Sequence, residues 1–160
     1  MVDTSVSVVA PTVDHGGIGQ YADQLRSKMA SEARTKHVPL HEEMNVSDYV
    51  SAATHAATGN VVHVHFEYGL FRPKLLYAIV FFPVLFFASR LRRAPVVITV
   101  HEVWTTETIG RVQYGYVWLV HIVVAVTASR LVFMTENAED DFRPRRVSER
   151  ELIPHGVDID

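Results

Sequence analysis

The chain predicts an α/β fold in which a parallel β-sheet carries helices on both faces. Three observations predict it. Short runs rich in β-branched residues, each almost uniformly apolar, alternate with longer stretches of helical periodicity. Strands read that way when neither of their sides meets water. Polar residues, several with glycine among them, follow five of the strands at the same end. In a sheet whose strands all run one way, those five loops share one rim, and ligands of such sheets bind there.

Each element has its own signal. Residues 5–10 form a β-branched strand that runs into Asp14-His15-Gly16-Gly17-Ile18-Gly19. Residues 19–33 follow as a helix, with Ile18, Tyr21, Ala22, Leu25 and Met29 at helical spacing. Residues 37–40 read as a short strand. Residues 46–57 read as a helix capped by Asn45 or Ser47. After the turn Gly59-Asn60, residues 60–66 form a strand. Residues 71–91 are an apolar helix, 95–100 a strand, 112–128 a second apolar helix and 130–134 a strand. Residues 136–142 make a short helix and 151–153 a last strand. The alternation is that of a Rossmann-like sheet.

Composition bounds the reading. At 160 residues the chain is one domain with room for a substantial core. A net charge of −3 gives no electrostatic reason to bind nucleic acid. No cysteine is present, which excludes disulfides, thiolate metal sites and a cysteine nucleophile. Twelve of the fifteen basic residues are arginine, which favours planar contacts to anions. Met1-Val2-Asp3-Thr4 has neither a basic start nor a long apolar stretch, so no signal peptide is expected.

Two apolar runs need a separate decision. Residues 75–88 read LLYAIVFFPVLFFA, fenced by Arg72, Lys74, Arg90, Arg92 and Arg93. Residues 114–128 read YGYVWLVHIVVAVTA. A membrane span needs about 20 apolar residues, and both runs are shorter. They can be buried helices covering the sheet. Alternatively, the first can lie in an anionic membrane interface, to which its basic fence would bind. Pro83 should kink or split that helix, because its ring nitrogen cannot donate to the carbonyl of Ile79.

The rim residues carry the chemistry. Gly16, Gly17 and Gly19 follow a strand and open a helix, a layout that brings backbone N–H groups close to an anion. The loop is not G-x-G-x-x-G, and no acidic residue closes a second strand, so a nicotinamide cofactor is not expected. A G-x-x-x-x-G-K-[ST] loop is absent as well, which argues against a nucleoside triphosphatase. His63 and His65 sit two apart on a strand and face one side, His63 hydrogen-bonded within the sheet and His65 at the rim. With His101 or Glu102 they could ligate zinc, although no H-E-x-x-H helix is present. His101-Glu102 ends a strand and can hydrogen-bond a sugar hydroxyl or transfer a proton. His37, His41, His55 and His121 read as surface or satisfied core groups. The mixed-charge stretch 143–151 reads as a solvated face.

Taken in order, these motifs resemble the N-terminal half of retaining GT-B-fold glycosyltransferases, the family 4-like group 1 enzymes. The resemblance runs through Gly16-Gly17-Ile18-Gly19 with Tyr21 and Leu25. It continues through Asn60-Val61-Val62-His63-Val64-His65 and Val97-Ile98-Thr99-Val100-His101-Glu102. It ends with Val132-Phe133-Met134-Thr135-Glu136 and Ile153-Pro154-His155-Gly156-Val157-Asp158.

The resemblance implies transfer of a glycosyl group from a nucleotide-sugar to an acceptor, lipid-linked or polysaccharide, with retained configuration and no obligatory metal or cofactor. Residues 1–160 would be the acceptor-side domain of a hexosyltransferase. His101 and Glu102 would stand at the reacting centre. Gly16, Gly17, Gly19, Thr135 and Glu136 would face the donor. Asp14, His15, His65, Glu67 and Tyr68 would shape the acceptor side. His155, Gly156 and Asp158 would form the interdomain hinge. The family's basic pair and acidic motif belong to the donor-binding half, which would be needed in cis or in trans for activity. The fenced apolar helix fits members that dock peripherally on the cytoplasmic face of a membrane.

Two other classes compete with this reading. One is a non-catalytic, membrane-docked partner that recruits a separate donor-binding subunit. The other is a metal-dependent hydrolase built on His63, His65 and His101.

Overall fold

The computed structural model describes residues 4–14, 16–41, 43–71, 75–144 and 149–154. The sheet has six strands, all parallel, in the order β2-β1-β3-β4-β5-β6. The strands are β1 (Ser5–Ala10), β2 (Arg34–Pro39), β3 (Val61–Phe66), β4 (Val96–Val100), β5 (Arg130–Phe133) and β6 (Glu149–Leu152). The helices are α1 (Gly16–Met29), α2 (Val46–Ala56), α3 (Ala78–Arg92), α4 (Thr106–Ile109), α5 (Arg111–Thr127) and α6 (Glu136–Asp141). The Rossmann-like α/β architecture read from the sequence is therefore the one observed. β1 pairs with β2 on one side and with β3 on the other. The chain thus reverses its progress across the sheet between β1 and β3, and a crevice opens at the carboxyl ends of strands where that happens.

Alternation along β1 divides its side chains between two cores. Val6, Val8 and Ala10 pack with Ala22 of α1. Val9 joins the larger core on the other face, with Val62, Val64, Phe66, Ile98 and Val100 from β3 and β4. Phe71, Phe81, Phe82 and Leu85 close that core over the sheet. Each such side chain contributes roughly 1.5–3 kcal/mol when removed from water. Tyr49 of α2 stacks 4.8 Å from Tyr77, and its hydroxyl donates to the carbonyl of Leu70.

α2 begins with a capping box. The Asn45 side chain accepts from the N–H groups of Ser47 and Asp48, and the Asp48 carboxylate accepts from the N–H of Asn45. Of the two candidate caps, Asn45 is the one used.

The apolar helices differ from expectation in two ways. The first begins at Ala78 rather than at residue 71, because Tyr68–Phe71 is a separate 3-10 turn and Leu75 takes a left-handed φ of 62°. It also runs through Pro83 as one helix rather than splitting. Pro83 sits only in its second turn, so a single helical bond, to the carbonyl of Ile79, is forfeited. Ala78, Phe81, Phe82, Leu85 and Ser89 face inward, while Leu76, Phe87 and Leu91 are exposed. On α5, Val117, Val120, His121, Val124 and Ala125 are buried, while Trp118, Leu119 and Val126 face outward. Among the described residues no helix is long and apolar enough to cross a membrane.

Candidate functional site

β3 presents Val62, Val64 and Phe66 to the large core, and therefore His63 and His65 to the opposite face. Parallel register sets His65 beside Thr99 of β4, and His101 follows one step beyond that strand. Nε2 of His63 lies 2.8 Å from the Thr99 hydroxyl. Nδ1 of His65 lies 3.0 Å from Nε2 of His101. The backbone N–H of His101 donates to the carbonyl of Phe66, which keeps the loop after β4 tied to β3. Tyr21 of α1 meets both imidazoles edge-on, with ring centroids 5.7 Å from His65 and 5.8 Å from His101. Helix, third strand and fourth strand thus converge on one imidazole pair beside the crevice.

Burial sets the charge of this group. It pushes the His63 imidazolium down to about 4. Burial also lowers His65, to about 2, and the neighbouring His63, His101 and His37 push in the same direction. Both rings are neutral at ordinary pH. The Tyr21 hydroxyl is raised by burial and stays protonated. His63, His65 and Tyr21 therefore offer neutral donors and acceptors.

His65 lies near the carboxyl end of β3, where the rim is expected, but it is fully buried, with Tyr21 of α1 edge-on against its ring. Tyr68, expected on the acceptor side, is also sealed inside. Its ring stacks on Trp104 at 4.3 Å, and its hydroxyl oxygen accepts the Trp104 N–H at 3.0 Å while bonding His121. It holds the loop after β4 and has no surface to give a ligand. Glu67 is half-buried next to Gly69, and Glu102 and Asp14 are exposed.

The glycine loop is tight at one point only. Gly16 opens α1 with a φ of 82°, a conformation that side-chain-bearing residues rarely adopt. A Cβ on Gly17 would meet nothing within 4 Å, whereas one on Gly19 would stand 2.2 Å from the carbonyl oxygen of Thr12. Gly19 is therefore a packing requirement, and Gly16 and Gly17 leave exposed backbone at the start of the helix. Beside them, a cavity of about 240 Å³ opens toward β2, lined by Asp14, Gly19, Asp23, Arg26 and His37 among others.

Thr135 caps α6 by accepting from the N–H of Ala138, and Glu136 is exposed at the first position of that helix. Both sit at the end of β5, on the same rim but beyond β4. His15, His155, Gly156 and Asp158 lie outside the described residues. Among the described residues no three His, Asp or Glu side chains are grouped to hold a metal ion. The His65 and His101 nitrogens face each other at hydrogen-bond distance, where a proton lies between them.

Tyr21, Thr99, Trp104 and His121 are the parts of this arrangement that the sequence motifs did not assign to a role in the site. Tyr21 had a visible signal, an aromatic residue early in a helix that starts at the rim. Thr99 had none, since its partner depends on strand register. Neither a protein-family model nor a curated protein matches the chain.

Proposed function

We propose that the chain is the acceptor-side half of a glycosyltransferase of the retaining GT-B kind, working with a donor-binding half in cis or in trans. The observation that carries the reading is the convergence of α1, β3 and β4 on the His65–His101 pair, next to the glycine loop and the β1/β3 crevice. The neutral His65 imidazole, paired with His101 and with Glu102 next in the chain, suits a polyhydroxylated ligand, which needs many directional hydrogen bonds and no fixed countercharge. His101 and Glu102 would stand at the transferred sugar, and the exposed backbone of Gly16 and Gly17 would approach the donor.

The outer edge of α3 supports a peripheral membrane contact. Phe87 is 66% exposed and Leu91 86% exposed, and Arg90, Arg92 and Arg93 are exposed around them. Apolar side chains framed by arginines match an anionic lipid surface. Flotation with anionic vesicles should fall when Arg90, Arg92 and Arg93 become Gln, and unchanged flotation would remove the basic fence from the reading.

The catalytic part has its own test. Membrane extracts of cells that make the protein, supplied with radiolabelled nucleotide-sugars, should label a lipid or polysaccharide product. His101→Ala should lower that labelling at least about tenfold at equal protein level. Near-native labelling would take His101 out of the site. Labelling by neither form, with any donor, would overturn the transferase reading and leave a non-catalytic membrane-docked partner.

A further inference from the structure

We infer that His65 is a positioning residue that locks the tautomer of His101 by donating its Nδ1–H to Nε2 of His101. The functional weight of this lock rests on the proposal that His101 belongs to the site, but the lock itself is a property of the two rings.

Two nitrogens 3.0 Å apart share one proton, and it belongs to one ring or the other. The far nitrogen of His65 decides which. Nε2 of His65 is buried and has no hydrogen-bond partner. If His101 supplied the shared proton, a neutral His65 would carry its own on Nε2, as a buried N–H with nothing to donate to. If His65 supplies it, Nε2 is only a bare lone pair. Buried donors without acceptors are the rarer and costlier of the two. The doubly protonated His65 would carry that same orphan N–H and a buried charge besides. The titratable groups that face His65 are His63 on its own strand, His37 on β2, His101 after β4 and Tyr21 on α1. None of them brings a negative charge to hold an imidazolium.

Three consequences follow for His101. Its Nε2 is committed as an acceptor. The proton of its neutral form therefore lies on Nδ1, so in any hydrogen bond that Nδ1 makes His101 acts as a donor and not as a base. To take up a second proton it must turn Nε2 into a donor, which forces His65 to move its own proton to the unpartnered Nε2. Protonation of His101 is thereby resisted, and the ring stays neutral further into acid than an isolated histidine would. In a sugar site, a neutral imidazole held as a donor orients a hydroxyl or ring oxygen without abstracting its proton.

The test is direct. The whole chain is labelled with ¹⁵N-histidine, and long-range ¹H–¹⁵N correlation spectra are recorded from pH 8 down to pH 5. His65 should show a protonated Nδ1 and a bare Nε2, and His101 a bare Nε2 with its proton on Nδ1. The reverse pattern on either ring would overturn the lock. His65→Phe removes the donor and should raise the His101 titration above that of the native chain by about half a pH unit or more. Equal titrations in the variant and the native chain would also overturn the lock. Should the variant fail to fold, the spectra of the native chain decide alone. A chain with no transferase activity would still show the lock, so the two readings fail separately.

Discussion

The phenol oxygen of Tyr68 lies 2.6 Å from Nε2 of His121, and both side chains are sealed from solvent although 53 positions separate them. The same oxygen accepts the backbone N–H of Trp104, and the two aromatic rings stack. One hydroxyl therefore joins the turn after β3, the loop after β4 and the middle of α5. Tyr68→Phe keeps the stacking but leaves the Trp104 N–H and the His121 nitrogen without their partner. Stability should fall by about 1–3 kcal/mol in urea unfolding followed by circular dichroism. A loss below about 0.5 kcal/mol would show that the hydroxyl is not what holds this loop.

The glycine loop separates packing from exposure. Gly19→Ala drives a methyl group into the Thr12 carbonyl, a backbone atom that cannot swing away. The loop before α1 must shift, and a destabilisation of roughly 1–3 kcal/mol is expected, as for other overpacked sites. Gly17→Ala meets open space in the first turn of α1, so stability should be unchanged or higher by a few tenths of a kcal/mol. Thermal unfolding of the two variants checks the contrast, and equal midpoints would contradict it.

Much of this organisation could be read from the pattern of apolar residues. The run of valines and isoleucines in β1, β3 and β4 announces strands buried on both sides, and the glycines after Asp14 mark the entry to α1. His63 and His65 declare a shared face by their spacing alone. What the pattern cannot hold is register and cover. Thr99 meets His63 only because β3 and β4 pair as they do, and His65 is covered by rings that arrive from other elements, Tyr21 and His101. α3 starts later than its apolar run suggests for a local reason, since residues 68–71 are apolar enough to extend a helix but close into a 3-10 turn. Pro83 does not split α3, because a proline early in a helix removes only one bond.

Arg93 ends α3 with a φ of 56°, the left-handed conformation that helices usually close with glycine. A side chain in that conformation costs about 1 kcal/mol against glycine. Arg93 is exposed, so Arg93→Gly removes strain and no core contact. It should raise stability by about 0.5–1 kcal/mol and the unfolding midpoint by a few degrees, read by calorimetry. A lower midpoint would mean that the Arg93 side chain itself holds the end of the helix.

Acid should destabilise the fold over a defined range. Burial holds His63 and His121 down to about 4, and holds His65 lower still, to about 2. In the unfolded chain these rings take up protons near the ordinary histidine value of about 6.5. Between about pH 6.5 and 4 the unfolded state therefore binds up to three more protons than the folded one through these groups. Stability rises with pH wherever the unfolded state binds more protons, so here it falls as pH drops, by at most about 1.4 kcal/mol per pH unit for each ring. Urea midpoints at pH 7.5, 5.5 and 4.5 should decline steadily below pH 6.5, and His121→Gln should make the decline shallower. A flat profile down to pH 4.5 would show that these imidazoles are not held neutral in the folded chain.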